Sequence, residues 1–272
     1  KKLTPNNYHP IIIYLTKDEL ELYQAYTFEI ARNIVRKDGK VIITTRAKQF
    51  MLKRASLIAG AVGKIEELRR MAGNFKDDYN MLIYCGATNV KSDVDKSVSL
   101  EAEMRQIDCI SRMLNFDFGM RTAQFTSNED MDERQRRIED FQNHDIQALI
   151  AIKCLDEGVN IPSIQKAFIL ASTTNPKEYI QRRGRVLRLY PGKKFAEIYD
   201  FVTLPRELSV VSNTSAELAK AERSLVLKEM RRMYEFGRLA INFYDTDNLI
   251  VNLRDAYNIY EDLGEYDEEE IL

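Results

Sequence analysis

The sequence predicts an α/β fold in which helices cover both faces of a mainly parallel sheet. The runs MLIYCGA (81–87), IQALIAIK (146–153), KAFILAS (166–172) and FAEIYDFV (195–202) are apolar on successive residues, as strands buried on both faces are. Between such runs lie polar stretches with apolar residues at helical spacing, DMDERQRRIEDFQ (130–142) among them, and alternation of this kind builds a parallel sheet. A chain of 272 residues is long enough to bury a sizeable core in one large domain with appended elements.

Taken in order, YHPIIIYLT (8–16) is β-branched and aromatic and is expected to be extended. A helix should follow over about 17–35, with Leu20, Tyr23, Phe28, Ile30 and Ile34 as its apolar face and KDGK as its stop. A second helical segment spans roughly 47–71. Strand 81–87 is followed by a polar stretch and a long helix near 97–115, then by strand RTAQFT (121–126) and helix 130–142. Three more strands come at 146–153, 166–172 and 195–202, and a strongly charged helix at about 215–240. The terminal YEDLGEYDEEEIL is acidic and reads as a solvated tail. The expected organisation is an N-terminal linker strand with helices packing on the core (1–78), an α/β core (79–203) and a helical C-terminal extension with an acidic tail (204–272). No internal repeat is visible.

Composition narrows the function. Net charge is -2, with 44% hydrophobic and 30% charged residues. No apolar run reaches the ~18 residues of a membrane span, and no signal peptide opens the chain. Cys85, Cys109 and Cys154 are widely separated, and with only His9 and His144 beside them they offer no metal-ligand spacing. Free thiols in a reducing cytoplasm are the expectation, with no metal bound by Cys and His. The opening KKLTPNNYHP lacks Met and reads like a linker, as a piece of a longer protein would.

Against this near-neutral background, the stretch Gln181 to Lys194 holds six cations (Arg182, Arg183, Arg185, Arg188, Lys193, Lys194) and no carboxylate. Asn175 suits an N-cap and Pro176 the first helical position, so a helix should begin there. On it Gln181, Arg185 and Arg188 share one face at i, i+4 and i+7, while Ile180, Gly184 and Leu187 share another that can pack on the sheet. Planar, permanently charged guanidiniums in a row match the oxygens of a polyphosphate. Alone, the stretch reads more readily as a solvated basic helix.

The segment IKCLDEGVNIPSI (152–164) follows directly on a strand, where ligand loops of parallel sheets lie. It offers Asp156, Glu157, Gly158 and Asn160, and about twenty residues later comes YIQRRGRVLR. The pair resembles motifs V and VI of superfamily 2 helicases and translocases. MLIYCGAT (81–88) resembles motif IV, and AQFTSNEDMDERQRRIEDFQNHDIQALIAI the stretch leading into motif V. Order and spacing hold from 79 to about 203, and the surroundings are similar to the DEAD/DEAH-type group related to restriction-enzyme helicase subunits and DNA-repair translocases.

The resemblance implies a RecA-like fold for the core, as the second of two motor lobes that hold ATP between them. It implies that Gln181 contacts nucleotide phosphates and that Arg185 and Arg188 are arginine fingers. Gly158 and Asn160, with Asp156 and Glu157 beside them, would lie by the nucleotide, and Lys153, Arg182 and Thr88 on the nucleic-acid backbone. Asn160 stands where relatives often carry Asp, and Ile152 where they often carry Thr. DNA is the expected partner ahead of RNA.

A complete motor also needs a P-loop and an acidic strand for Mg²⁺, and the 272 residues contain neither. GAVGKI (60–65) has two residues between its glycines where the P-loop has four, and Ile65 in place of the metal-binding hydroxyl. Its apolar stripe of Ile58, Val62, Ile65 and Leu68 reads as an ordinary helix. ATP and Mg²⁺ would then be held mainly by an N-terminal RecA-like lobe. The competing readings are a non-catalytic RecA-like module that holds nucleic acid or protein, and an unrelated α/β enzyme acting on a phosphorylated small molecule. Lys48, Lys53, Arg54, Arg69 and Arg70 read as solvated helix faces.

Overall fold

The computed structural model describes residues 3–37, 40–86, 106–126, 129–152, 161–171 and 176–264. Six strands form one parallel sheet: β1 (Asn6–Tyr14), β4 (Met81–Cys85), β5 (Thr122–Phe125), β6 (Ala148–Ile152), β7 (Lys166–Ile169) and β8 (Ala196–Leu204). Their order is β1-β8-β7-β4-β6-β5, every neighbouring pair parallel. The expected fold class is the one observed.

Alternate residues of each buried strand serve two cores. Leu82, Tyr84, Leu149 and Ala151 join the core beneath helices α5 (Met131–Gln142), α6 (Pro176–Val186), α8 (Ala216–Gly237) and α9 (Phe243–Tyr257). Met81, Ile83, Cys85, Ala148, Ile150 and Ile152 face the opposite core with α3 (Val62–Ala72) and the helical segment 106–112 (α4). This period-2 split explains the continuous apolar runs, because neither face of these strands meets water.

Four expectations require correction. Residues 1–78 do more than pack on the core, since β1 pairs with β8 along its whole length and supplies the sheet with an edge strand. The first helix, α1 (Lys17–Arg32), stops before Ile34. Residues Ile34–Lys37 (β2) and Lys40–Ile43 (β3) form a separate antiparallel ribbon in which Lys37 pairs with Lys40. The helix thus ends before KDGK is reached. The segment 47–71 is two helices, α2 (Thr45–Ala59) and α3, broken at the Gly60 cap. The acidic end is partly anchored, because Leu263 is buried in the first core.

The helix expected near 97–115 is described only from 106. It ends in a π-helical turn, Met113–Asp117. The short α7 (Leu208–Val211) leads into α8.

Helix starts follow local chemistry. Thr16 and Glu19 form a reciprocal capping box on α1. Glu19 also accepts the Val62 N–H at 2.9 Å, tying the start of α3 to that of α1. The C-terminal extension is stapled down by buried charge. Arg232 on α8 donates to Asp200 of β8 at 2.9 Å and to both oxygens of Glu229 at 2.7 Å. The Tyr8 hydroxyl of β1 donates to the same Asp200 at 2.8 Å. Beneath α1, Glu222 accepts from Gln24 at 2.9 Å and pairs with Arg206 at 2.5 Å. Both α1 and α8 therefore pack on the sheet domain, as their apolar faces require. None of the described helices is long and apolar enough to cross a membrane.

Candidate functional site

The arginine-rich helix begins at Pro176, as its sequence demands, and runs to Val186. Its outward side carries Gln181, exposed, and Arg185, half-buried. Arg188 follows just past the last turn, exposed, with its N–H on the Arg185 carbonyl at 3.3 Å. The three residues expected to share a face are therefore all on the accessible side of the element.

The packing side differs from expectation. Ile180 is 37% exposed, and a Cβ at Gly184 would meet nothing within 4 Å, so neither anchors the helix. Leu187 is buried as expected, and Tyr179, Arg182, Arg183 and Val186 are buried with it. Arg182 is a correction of a second kind. It is buried, its guanidinium lying 4.4 Å from the centre of the Tyr84 ring, and so is placed inside the lobe and not at the surface where a nucleic-acid backbone would reach it.

Arg183 pairs with Glu235 of α8 at 3.0 Å and also donates to the Glu235 carbonyl. Burial lowers its pKa, and the Glu235 carboxylate opposes that fall. Two of the six cations of this stretch thus hold the helix in place from below.

Lys193 is a third, and sequence reasoning missed it. Its ammonium donates to the carbonyls of Val186 (2.5 Å), Arg188 (3.3 Å) and Pro162 (3.3 Å). Burial pulls its pKa down to about 8. A cation on the last carbonyls of α6 satisfies groups that have no partner within the helix and complements its dipole. The signal was legible: Tyr190-Pro191-Gly192-Lys193 closes as a turn, the Lys193 N–H on the Tyr190 carbonyl at 3.0 Å, with Gly192 at φ +81°. Pro then Gly is the pairing a type II turn requires, and it folds Lys193 back under the helix end. Through Pro162 the same ammonium ties this helix to the end of the motif V segment.

The motif V candidates Lys153, Asp156, Glu157, Gly158 and Asn160, and Thr88 of motif IV, lie outside the described residues. The strands that lead to them are in place and adjacent: β4 pairs with β6 from Met81 to Cys85 and β7 lies on the other side of β4. The element carrying Gln181, Arg185 and Arg188 follows β7 in the chain, and β7, β4 and β6 are neighbours in the sheet.

Residues 63–190 match the family model of the helicase conserved C-terminal domain. The matched region takes in β4, β5, β6, β7 and the whole of α6. Over 77 residues it is 32% identical to a protein of Sulfolobus islandicus filamentous virus (isolate Iceland/Hveragerdi) named for a helicase, covering 28% of this chain. Over 63 residues, or 23% of the chain, it is 30% identical to the DNA 3'-5' translocase XPB2 of Sulfurisphaera tokodaii. The aligned stretches span only 14% of either relative's own length. The SWI2/SNF2 ATPase core of Sulfolobus solfataricus, solved in complex with dsDNA, superposes with a TM-score of 0.52 at 14% identity. That match covers 92% of this chain and 50% of the other. The shared fold is the RecA-like lobe.

Proposed function

We propose that this chain is the second motor lobe of an ATP-dependent helicase or translocase that works on nucleic acid, DNA ahead of RNA. The observation that carries the reading is the two-sidedness of α6. Gln181, Arg185 and Arg188 lie on its accessible side, while Arg183 on Glu235, Arg182 on Tyr84 and Lys193 on the helix-end carbonyls fix its other side. Donors on a rigid base stabilise developing charge without reorganising during the reaction.

ATP, when bound with Mg²⁺, supplies the phosphoryl group whose transfer drives the motor. Fixed guanidiniums suit the outer phosphates, but the sequence offers no P-loop, so the phosphate cradle and metal ligands belong to a first RecA-like lobe. In this reading Gln181 would contact the phosphates, and Arg185 and Arg188 would supply positive charge to the outermost phosphate as fingers. The motif V residues Gly158 and Asn160, with Asp156 and Glu157, border the nucleotide, and Lys153 and Thr88 track the nucleic-acid backbone. The preference for DNA draws on the translocase relative, a DNA enzyme by its name.

Phosphate release tests the division of labour. The 272-residue chain alone is expected to show no turnover with or without DNA, and DNA-stimulated turnover is expected when a P-loop lobe is joined to it. Robust hydrolysis by the chain alone would contradict the half-site assignment.

A further inference from the structure

A recessed group of cations lies where α8 meets α1 and α2, outside residues 63–190. Ser224, Lys228 and Arg231 stand at i, i+4 and i+7 on α8 and so share a face. The Tyr23 hydroxyl of α1 lies 3.4 Å from Ser224 Oγ, which brings that face against α1. Arg54 of α2 reaches the same place. Its guanidinium lies 5.5 Å from the centre of the Tyr23 ring and donates to Thr27 Oγ1 at 3.2 Å. Its sequence suggests a solvated helix face, but Arg54 is half-buried, as is Lys228, and Arg231 is buried.

Lys228 feels both guanidiniums. Burial pulls its pKa down to about 8, and Arg54 and Arg231 push it the same way. Among the described residues no carboxylate opposes that fall, and none pairs with Lys228. The neighbouring carboxylates of α8 are engaged elsewhere: Glu222 with Arg206 and Gln24, Glu229 with Arg232, Glu235 with Arg183 and Arg238. The partners of Arg54 are a hydroxyl and a ring, which leave its charge in place. Half-buried positive charge without a counter-charge is costly. Lys228 and Arg54 bring two such charges together.

We propose that Lys228 and Arg54, beside Arg231, form a binding site for a phosphate dianion, either the free ion or a terminal phosphate monoester. Charge selects this class. Such a phosphate carries about −1.5 to −2 at pH 7, whereas a carboxylate or a backbone phosphodiester carries a single charge. The planar guanidinium fork matches two phosphate oxygens, and the ammonium serves a third as a point charge. Packing of Arg54 over Tyr23 holds the fork in place before the anion arrives. The site uses none of the residues assigned to the motor and does not depend on that reading.

The test is thermal melting of the full 272-residue chain in sodium phosphate against sodium chloride at equal ionic strength. Phosphate is expected to raise the wild-type melting temperature. Lys228→Met and Arg54→Gln should each weaken the apparent phosphate affinity by about tenfold or more. In chloride Lys228→Met should melt above wild type, because an uncompensated ammonium is gone. That gap should close as pH rises from 8 toward 10.5, where folded wild type has shed the proton and the unfolded chain still binds it. Equal melting of the two proteins in chloride would show Lys228 already compensated and overturn the proposal. A phosphate response absent from wild type, or retained in both variants, would also overturn it. Retention in both with loss in Arg185→Gln and Arg188→Gln would place the anion on α6 instead. Short oligothymidylates separate the sources. A response to 5′-phosphorylated strands and not to 5′-hydroxyl strands supports a terminal monoester, and a response to inorganic phosphate alone supports the free ion. An equal response to 5′-hydroxyl strands, lost in both variants, would assign these cations to backbone diesters and overturn the dianion site.

Discussion

Replacing Arg232 by Met should cost this protein a large share of its stability. The guanidinium is 3% exposed and makes three short charged hydrogen bonds, to Asp200 on β8 and to both oxygens of Glu229 on α8. Those two carboxylates hold its pKa above the ordinary arginine value, against the opposing pull of burial. Met fills the stem volume but leaves Asp200 and Glu229 buried, with the Tyr8 hydroxyl and the Thr203 N–H (3.0 Å from Glu229) as remaining donors. Removing one partner from such a group costs about 3–5 kcal/mol, because the loss is that of uncompensated buried charge. Set against a typical total of about 5–15 kcal/mol, this is at least about a fifth of the fold's margin. Tyr8→Phe removes one neutral donor from the same Asp200 and should cost only about 1–2 kcal/mol. Because both residues act on Asp200, the double variant should fall short of the sum. Urea unfolding followed by circular dichroism measures all three. An Arg232→Met loss below about 1 kcal/mol with an unchanged m-value would refute the claim that this network clamps α8 to the sheet.

Three further outcomes follow from the geometry. Lys64 is 2% exposed with its ammonium on the Ile58 carbonyl at 2.7 Å, and burial lowers its pKa from 10.5 to about 8. Between those values the unfolded chain binds the extra proton. Wild-type stability should therefore rise relative to Lys64→Met by about 2 kcal/mol from pH 8 to 9.5, and a pH-independent difference would contradict the burial. Lys193→Met takes a donor from the carbonyls of Val186, Arg188 and Pro162, of which Arg188 keeps the Thr4 hydroxyl, and should cost about 1–3 kcal/mol in urea; an unchanged midpoint would count against the cap. Gly237→Ala would set a Cβ 2.7 Å from Thr246 Cγ2, forcing α8 and α9 apart at a cost of about 1–3 kcal/mol, and a melting temperature equal to wild type would show that contact to be slack.

Much of the sheet was readable because strands buried on both faces leave an unmistakable apolar run, and Met81–Cys85 and Ala148–Ile152 fall inside the segments so identified. The start of α6 was readable for a local reason, since Pro176 suits only the first turn of a helix. What the sequence hid depends on partners far along the chain. Arg183 looks like any surface arginine until Glu235, 52 residues away, is placed against it. Hydrophobicity and helical spacing point Ile180 at the sheet, but the neighbouring elements bury two arginines and leave it half-exposed. The ribbon was missed for another reason. Apolar Ile34 and Val35 continue the helical pattern of α1 and mask the change of period.

The central claim is that Arg185 and Arg188 act on the transferring phosphoryl group from this lobe. In the protein joined to its P-loop lobe, Arg185→Lys and Arg188→Lys keep the charge but lose the planar fork. Each should lower DNA-stimulated kcat by about a hundredfold or more, while nucleotide-free DNA affinity and the melting temperature stay at wild-type values. If instead kcat at saturating DNA is retained, and DNA affinity falls with a salt slope shallower by about one per residue, the arginines are backbone contacts and the finger assignment is wrong.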